Sequence, residues 1–139
     1  MNLICLVYAS NAAIRADDWE VELEALLRAG RAKNVKLGIS GSLLFTGSRF
    51  AQLIEGQEAT VHGLLDVIRL DTRHRDLVVL DHWSIKRRLF ENWALAYAGP
   101  FGYFDRLIAK PLQAASRGLT PDVRPIVRLM AQLSSTQRS

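Results

Sequence analysis

Cysteine is almost absent from this chain of 139 residues, which contains one thiol, Cys5. A single cysteine excludes an internal disulfide and is typical of a reducing compartment, so we expect a cytoplasmic protein. Cys5 lies among apolar neighbours, which indicates an inert thiol in the core. The three histidines have no spacing that would form a zinc site with this cysteine, so we predict no metal centre.

Long hydrophobic runs are also missing. The apolar segment 3–9 is too short to cross a bilayer, and no basic residue precedes it as one would in a signal peptide. We therefore interpret this segment as a strand, and we expect no membrane among the partners of the protein.

An excess of positive charge is missing from most of the chain. Residues 1–100 hold 12 basic and 12 acidic residues, whereas residues 101–139 hold six and two, so the whole net charge of +4 lies in the tail. A core that bound nucleic acid would carry the surplus itself. We therefore expect no nucleic acid as a partner, and we interpret the charge of the tail as an aid to solubility.

Hydrophobic periodicity predicts five strands and two helices before residue 99. The predicted strands are 3–8, 36–45, 49–55, 77–85 and 90–98. The first helix is predicted to begin behind Asp17, which together with Glu20 resembles a capping box, and to end near Asn34. The second helix has an apolar stripe at helical spacing and is predicted to close near Asp71.

The order β-α-β-β-α-β with one further strand is the ferredoxin-like arrangement of an α+β fold. Two helices would cover one face of a sheet that is mostly antiparallel. Because the first strand is apolar on both of its faces, the opposite face of the sheet must be covered as well. We therefore predict a domain of residues 1–98 and a helical extension of residues 99–139 that packs on that opposite face.

Two helices are predicted in this extension. The first covers 104–116 and is interrupted by Pro111. The second has Thr120 as its N-cap and Pro121 in its first position, where a missing N–H group costs little.

Two polar residues lie in strands that otherwise read as buried, Tyr8 in the first and Gln52 in the third. A buried amide carries two donors and an acceptor, and each of these needs a partner. On neighbouring inner strands the two side chains could hydrogen-bond to each other and to a ligand. The pair by itself leaves a structural glutamine as an equally good interpretation.

Short motifs on both sides of this pair occur in a characteristic order. They are Leu-Val-Tyr-Ala-Ser at 6–10, Ala-Lys-Asn at 32–34 with Gly-Ile-Ser-Gly at 38–41, Phe-Ala-Gln-Leu-Ile-Glu-Gly at 50–56, Asp-Thr-Arg-His at 71–74 and Arg-Leu-Phe-Glu-Asn-Trp at 88–93. Together they resemble the BLUF family of blue-light sensors that use flavin. The resemblance covers residues 2–98 without large gaps.

The resemblance implies that an isoalloxazine ring lies between the two helices of the ferredoxin-like core. Leu26 and Ile68 would bury its two faces, and the amide of Asn34 would hydrogen-bond to its polar edge, with Lys33 beside it. FAD is the usual ligand of the family, with FMN as the alternative.

Three residues at the end of the second helix are further candidates for contacts with the cofactor. Asp71 and His74 are expected to approach the polar edge of the ring or the side chain of the cofactor. For Arg73 we favour a solvated helix end over a role in the site.

The resemblance also implies a photochemical switch. In the family, light drives an electron from a tyrosine to the excited flavin, a proton follows through a glutamine, and the altered hydrogen bonds shift the flavin absorption to the red. By matching position, Tyr8 is the electron donor and Gln52 the switch. The chain would then be a sensor and not an enzyme, and Trp93 resembles a tryptophan whose placement is linked to the output signal.

Among the departures from the family pattern, three bear on the site or on its output. Leu95 lies where the family usually has methionine, so no sulfur acceptor is available there for Gln52, and signalling or recovery should differ while flavin binding should not. Lys33 replaces asparagine or histidine, and Val67 replaces the arginine that some members have near the pyrimidine ring.

Two alternatives remain beside the photoreceptor. An RNA-recognition module shares the β-α-β-β-α-β order, but it would need exposed aromatic residues on the central strands and a basic core. A light-independent scaffold for protein contacts is the other. For the photoreceptor we expect the signal to pass to a separate effector protein, through the fifth strand and the tail, and we expect a homo-oligomer.

Overall fold

The computed structural model describes residues 2–14, 17–99 and 102–136, and the side chains of these residues as far as residue 133. Its elements in chain order are β1 (Leu3–Ala12), α1 (Trp19–Leu37), β2 (Ser40–Phe45), β3 (Arg49–Gln57), α2 (Glu58–Leu70), β4 (His74–Ile85), β5 (Trp93–Ala98), α3 (Gly102–Ser116) and α4 (Arg124–Thr136). Residues 137–139 of the predicted extension lie outside the described part.

The five strands form one sheet in the order β4-β1-β3-β2-β5. β3 lies at its centre and pairs antiparallel with β1 and β2, and β1 pairs antiparallel with β4 on its other side. β5 is added to the outer edge of β2 and runs parallel to it. This confirms the ferredoxin-like α+β fold with a fifth strand.

Alternating side chains divide the sheet into two buried faces. The pocket face packs against α1 and α2 and includes Leu6, Tyr8 and Ile54. The tail face packs against α3 and α4 and includes Val7 and Leu53. The expectation that the tail covers the second face is therefore confirmed, while the domain boundary at residue 98 stays a prediction.

The first helix is longer than predicted. α1 continues to Leu37 and stops at Gly38, whose φ of 67° is the left-handed conformation that glycine adopts without strain. The predicted end near Asn34 and the predicted start of β2 at residue 36 are therefore wrong. The capping box is also wrong, because the N-cap is Asp18 and its side chain makes no capping hydrogen bond.

The tail helices also differ from their prediction. α3 continues through Pro111 without a break, and this proline is buried. α4 begins at Arg124, so Thr120 and Pro121 precede the helix and the predicted cap is wrong. Pro125 takes the second position of α4, where the backbone N–H has no partner within the helix in any case.

Three strands, β1, β3 and β4, extend beyond their predicted limits. β1 extends to Ala12 because its pairing with β4 continues to His74, and β3 extends through Gly56 because it still pairs with β1 there. β5, in contrast, begins only at Trp93. Phe90 belongs to the preceding loop, and its side chain is buried in the core of the tail face. An apolar residue buried in this way has the same sequence signal as a strand residue.

Cys5 is fully buried on the tail face, as the sequence predicts. Burial raises the pKa of the Cys5 thiol well above its ordinary value, and the carboxylates of Glu55 and Asp81 add to that effect. The thiol is therefore protonated at neutral pH and inert toward electrophiles.

The contribution of the tail to the core can be measured with one substitution. Ile126 of α4 is fully buried on the tail face, so Ile126→Ala should lower the free energy of unfolding by about 2–5 kcal/mol in urea denaturation. Leu119→Ala removes an aliphatic side chain that is 60% exposed, and it should change that free energy by less than about 0.5 kcal/mol. Equal effects of the two substitutions would contradict the packing of α4 on the sheet.

Candidate functional site

A pocket of about 220 Å³ opens between α1 and α2 above the pocket face of the sheet. Its floor is formed by residues from four strands: Tyr8 from β1, Gln52 from β3, His74 from β4 and Trp93 from β5. The pocket brings together nine of the ten residues that the sequence proposed for the site. These are Tyr8, Leu26, Lys33, Asn34, Gln52, Ile68, Asp71, His74 and Trp93.

The Tyr8 hydroxyl donates a hydrogen bond to Oε1 of Gln52, with 3.1 Å between the two oxygens. The two residues are direct partners in the antiparallel pairing of β1 and β3, which brings their side chains together on one face. Tyr8 is fully buried and Gln52 is 5% exposed. The hydrogen bond that the sequence analysis considered for this pair is therefore confirmed.

Burial raises the pKa of the Tyr8 hydroxyl far above its ordinary value, and the charge of Asp71 raises it further. The phenol is therefore neutral across the physiological range. A neutral phenol keeps its proton on the oxygen, so it can act as the donor toward Gln52.

Both helical walls follow helical spacing. Positions 26, 29, 30, 33 and 34 of α1 and positions 64, 67, 68 and 71 at α2 line the pocket, and each set recurs every three or four residues. Leu26 and Ile68 thus lie on facing walls, as predicted for residues that cover the two faces of a flat ring. Gly30 and Leu64 also line the pocket and are not among the predicted site residues, although their spacing from Leu26 and Ile68 places them on the same walls.

The wall of α1 carries two polar residues at adjacent positions. Asn34 is 3% exposed, so its amide belongs to the buried wall, whereas Lys33 is exposed at the rim. A buried amide offers a donor and an acceptor to the edge of a bound ring, while the ammonium group at the rim remains in contact with water.

Asp71 and Arg73 form an ion pair beside the pocket. The Arg73 side chain donates to Asp71 through Nε at 2.9 Å and Nη2 at 2.6 Å. This hydrogen bonding lowers the pKa of Asp71 and raises the pKa of Arg73. The expectation of a solvated helix end for Arg73 is therefore wrong, since its half-buried guanidinium lines the pocket with its carboxylate partner.

His74 occupies the first position of β4, and its ring packs against two aromatic neighbours, Phe50 and Tyr8. Its ring centroid lies 4.5 Å from that of Phe50 and 6.0 Å from that of Tyr8. Its Nδ1 lies 2.8 Å from Oγ of Ser10. Burial lowers the pKa of His74 to about 4, partly offset by Asp71, so the imidazole is neutral at pH 7.

Trp93 brings β5 into the pocket. Its indole is 8% exposed, and its Nε1 donor has no hydrogen-bond partner among the residues that the structure describes. The ring packs against Gly30 so closely that a Cβ atom there would lie 3.3 Å from Cη2 of Trp93. The missing side chain at Gly30 therefore makes room for the indole.

Leu95 does not line the pocket. It is partly buried against the core of the pocket face and pairs with Leu43 of β2, which in turn pairs with Gln52. One intervening strand therefore separates Leu95 from Gln52, and the role of Leu95 in signalling stays a prediction.

The lining suits a flat, largely apolar ring with one polar edge. Aliphatic side chains face each other from the two helices, and Asn34 and Gln52 present amides between them. The unpartnered Nε1 of Trp93 adds a buried donor that a ligand or a rotated amide would satisfy. Within residues 2–14, 17–99 and 102–136 there is no cluster of three or more His, Cys, Asp or Glu residues that could hold a metal ion.

Comparisons with known proteins agree on one family. A protein-family model named BLUF, described as sensors of blue-light using FAD, matches residues 3–96. The dark-state structure of BlrB, a BLUF protein, superposes with a TM-score of 0.72 at 26% identity, and the match covers 96% of this chain and 97% of that one.

Two curated proteins are similar to this chain over a small part of their own length. The photoactivated adenylate cyclase subunit beta of Euglena longa is 32% identical over 97 residues, which are 69% of this chain and 11% of that protein. The blue light- and temperature-regulated antirepressor BluF of Escherichia coli (strain K12) is 36% identical over 78 residues, 56% of this chain and 19% of that protein. The chain thus matches a fifth or less of either relative. In the described part of this chain, no helix is long and apolar enough to cross a membrane.

The neutral His74 predicts a pH dependence of stability. Its pKa is about 4 in the folded protein and its ordinary value is 6.5, so the unfolded chain binds more protons between these values. The neutral form of His74 therefore contributes to the free energy of unfolding. This contribution is fully present above pH 6.5 and is lost as the pH falls toward 4, and the loss is roughly 3 kcal/mol at most. His74→Gln should remove this part of the pH dependence in urea unfolding measured from pH 7 to pH 4.

His62→Gln is the matched control, because His62 lies exposed on α2. It should retain the full loss of stability that the unmodified protein shows between pH 7 and pH 4. A loss that is as large in His74→Gln as in His62→Gln would contradict the assignment to His74.

Proposed function

The chain belongs to the BLUF family of blue-light sensors, and we propose that it binds a flavin between α1 and α2 and uses Tyr8 and Gln52 as its photochemical switch. The observation that carries this proposal is the buried hydrogen bond between Tyr8 and Gln52 on the floor of the pocket. A donor and a switchable amide in direct contact, next to a space for a flat ring, are what such a switch requires.

The two helices would hold the ring by burial. Leu26 and Ile68 lie on opposite walls and would cover its two faces, while Asn34 is placed to exchange hydrogen bonds with its polar edge. Lys33 and His74 are proposed as further contacts at the rim and on the floor. We propose FAD as the physiological cofactor, with FMN as the alternative, and chromatography of the flavin released on denaturation distinguishes the two.

Asp71 and Arg73 would act together at this edge. Because the guanidinium already donates to both oxygens of the carboxylate, the pair has little net charge and presents its remaining N–H groups in a defined direction. Arg73 is thus proposed as a donor to the carbonyl edge of the cofactor and Asp71 as the residue that orients it.

When bound, the flavin supplies the absorption of blue light and the acceptor for one electron. Tyr8 forms part of the pocket floor, and its neutral phenol holds a proton aimed at Oε1 of Gln52. Loss of an electron makes a phenol strongly acidic, so its proton would move along this hydrogen bond. The amide of Gln52 can then adopt a second arrangement of donor and acceptor, which is the discrete local change that a switch needs.

The output is proposed to leave through β5 and the tail. Trp93 of β5 lines the pocket, and α4 packs against β5 from the tail face. A changed amide at Gln52 offers a new partner to the unpaired Nε1 of Trp93, which would shift β5 and the helix behind it. We propose that a separate effector protein reads this shift in the cytoplasm, that the protein is not an enzyme and that it forms a homo-oligomer.

Absorption spectroscopy tests the switch directly. The purified protein should show a flavin spectrum that moves slightly to the red after blue light and returns in darkness. Tyr8→Phe removes the donor and Gln52→Leu removes the amide, so both variants should bind flavin without this shift. Tyr97→Phe also removes a tyrosine hydroxyl but lies against the tail helices, and it should retain the shift.

Each contrary result has a distinct meaning. A flavin spectrum without any shift in the unmodified protein would contradict the switch but not flavin binding. A protein that takes up no flavin, even after reconstitution, would contradict the whole proposal and favour a light-independent scaffold.

The contact between Gly30 and Trp93 predicts a steric test of the pocket. Gly30→Val places a branched side chain against the indole and into the cavity, and it should weaken flavin binding by roughly tenfold, as overpacking of this size does. Gly63→Val is the matched control, because a Cβ atom at this position of α2 meets no atom within 4 Å. Fluorescence titration with FAD measures both, and equal affinities would contradict the assigned pocket.

A further inference from the structure

A second polar side chain of β3 is buried without a part in the switch. Glu55 follows Gln52 by three residues, so its side chain points to the opposite, tail face of the sheet. It is fully buried. Burial of a carboxylate is costly unless its oxygens accept hydrogen bonds, so the partners of Glu55 indicate what it does.

The partners of Glu55 come from β2 and from the loop 86–92, which connects β4 to β5. Ser40 donates to Oε1 at 3.0 Å, the backbone N–H of Phe90 donates to Oε1 at 3.0 Å, and that of Leu89 donates to Oε2 at 2.6 Å. Arg88 strengthens the arrangement, since its Nη1 donates to Oγ of Ser40 and to the carbonyl oxygen of Glu55. One buried carboxylate therefore holds consecutive amides of this loop onto β3.

The loop decides where β5 begins. Asn92 accepts a hydrogen bond from the N–H of Gly41 at 3.2 Å, and β5 starts at the next residue, Trp93. β5 lies at the edge of the sheet and has β2 as its one neighbouring strand. Its pairing with β2 is parallel and shifts register between Leu43 and Leu44. The hydrogen bonds between β5 and β2 therefore hold β5 only weakly, so the position of β5 depends on the loop 86–92 that precedes it.

We propose that Glu55 is a positioning residue that docks the β4–β5 loop and thereby keeps the indole of Trp93 in the pocket. This inference rests on the proposed function, because it assigns a control of the light response to a residue that does not touch the pocket. Gln52 and Glu55 lie on one strand, on opposite faces. β3 thus holds the loop that precedes β5 on the tail face, while it carries Gln52 on the pocket face.

Glu55→Gln tests the carboxylate with little change of volume. The amide can accept through one oxygen only, and its NH₂ group would face an N–H of the loop. The loop should loosen, the indole should leave the pocket more often, and water should reach Gln52. We expect the variant to bind flavin as the unmodified protein does but to return to the dark state roughly fivefold faster, the change that the loss of one buried hydrogen bond produces.

Trp93→Ala separates positioning from a general effect on the fold. If Glu55 acts through Trp93, Glu55→Gln should no longer change the recovery rate in the Trp93→Ala background. Asp105→Asn is the matched control, because Asp105 also accepts a group of hydrogen bonds, from Thr46, Ser48 and Arg49, but at the β2–β3 turn. It should leave recovery unchanged.

A second readout needs no light response. In darkness, hydrogen exchange of the segment 86–98 should be roughly fivefold faster in Glu55→Gln than in the unmodified protein, while exchange in β1 stays the same. Should Glu55→Gln fail to fold, Ser40→Ala removes one donor to Oε1 and should give the same changes at smaller size.

The outcomes distinguish this inference from the proposed function. If blue light does not shift the absorption of the unmodified protein, the proposed function is contradicted. The rate of hydrogen exchange in segment 86–98 then still tests whether Glu55 positions the loop. Unchanged exchange in that segment overturns the positioning role. So does a change in recovery that is equally large with and without Trp93.

Discussion

The antiparallel pairing of β1 with β3 is the constraint on which the rest of the structure depends. It places Tyr8 opposite Gln52 at the centre of a sheet that is covered on both faces. A slip of one residue would turn one of the two side chains to the tail face and would bury its polar group without a partner. The register that stabilises the core is therefore the same register that forms the hydrogen bond of the switch.

The two faces of the sheet have different roles. The pocket face holds the ligand-binding residues, and the tail face holds an apolar core completed by α3 and α4. β3 serves both, with the amide of Gln52 on one face and the carboxylate of Glu55 on the other. β5 serves both as well, through Trp93 on one face and Ala96 on the other. Because such a strand is packed on both faces, a shift of it changes the contacts on both faces. A local change at the pocket can therefore reach the tail helices.

The fold could be predicted from the sequence because its strands are strongly apolar and its order of elements is distinctive. Element ends were less predictable. The sequence predicts the end of α1 near Asn34, although the helix continues to Leu37, since a polar residue on the buried wall of a pocket resembles a helix end in sequence. The sequence predicts that Phe90 belongs to β5, because an apolar residue buried from a loop cannot be distinguished in sequence from one buried in a strand.

By itself, the sequence determined the fold class and the two-sided burial of β1, because hydrophobic periodicity is a local property of the chain. The nine predicted residues that line the pocket followed from the resemblance of its ordered motifs to a known family. Only the tertiary structure decided which side chains meet across the sheet. It paired Arg73 with Asp71 at the pocket, set Gly30 against Trp93, and brought the loop before β5 onto Glu55. The last two contacts join residues more than 30 positions apart, and their geometry depends on how helices and loops pack on the sheet.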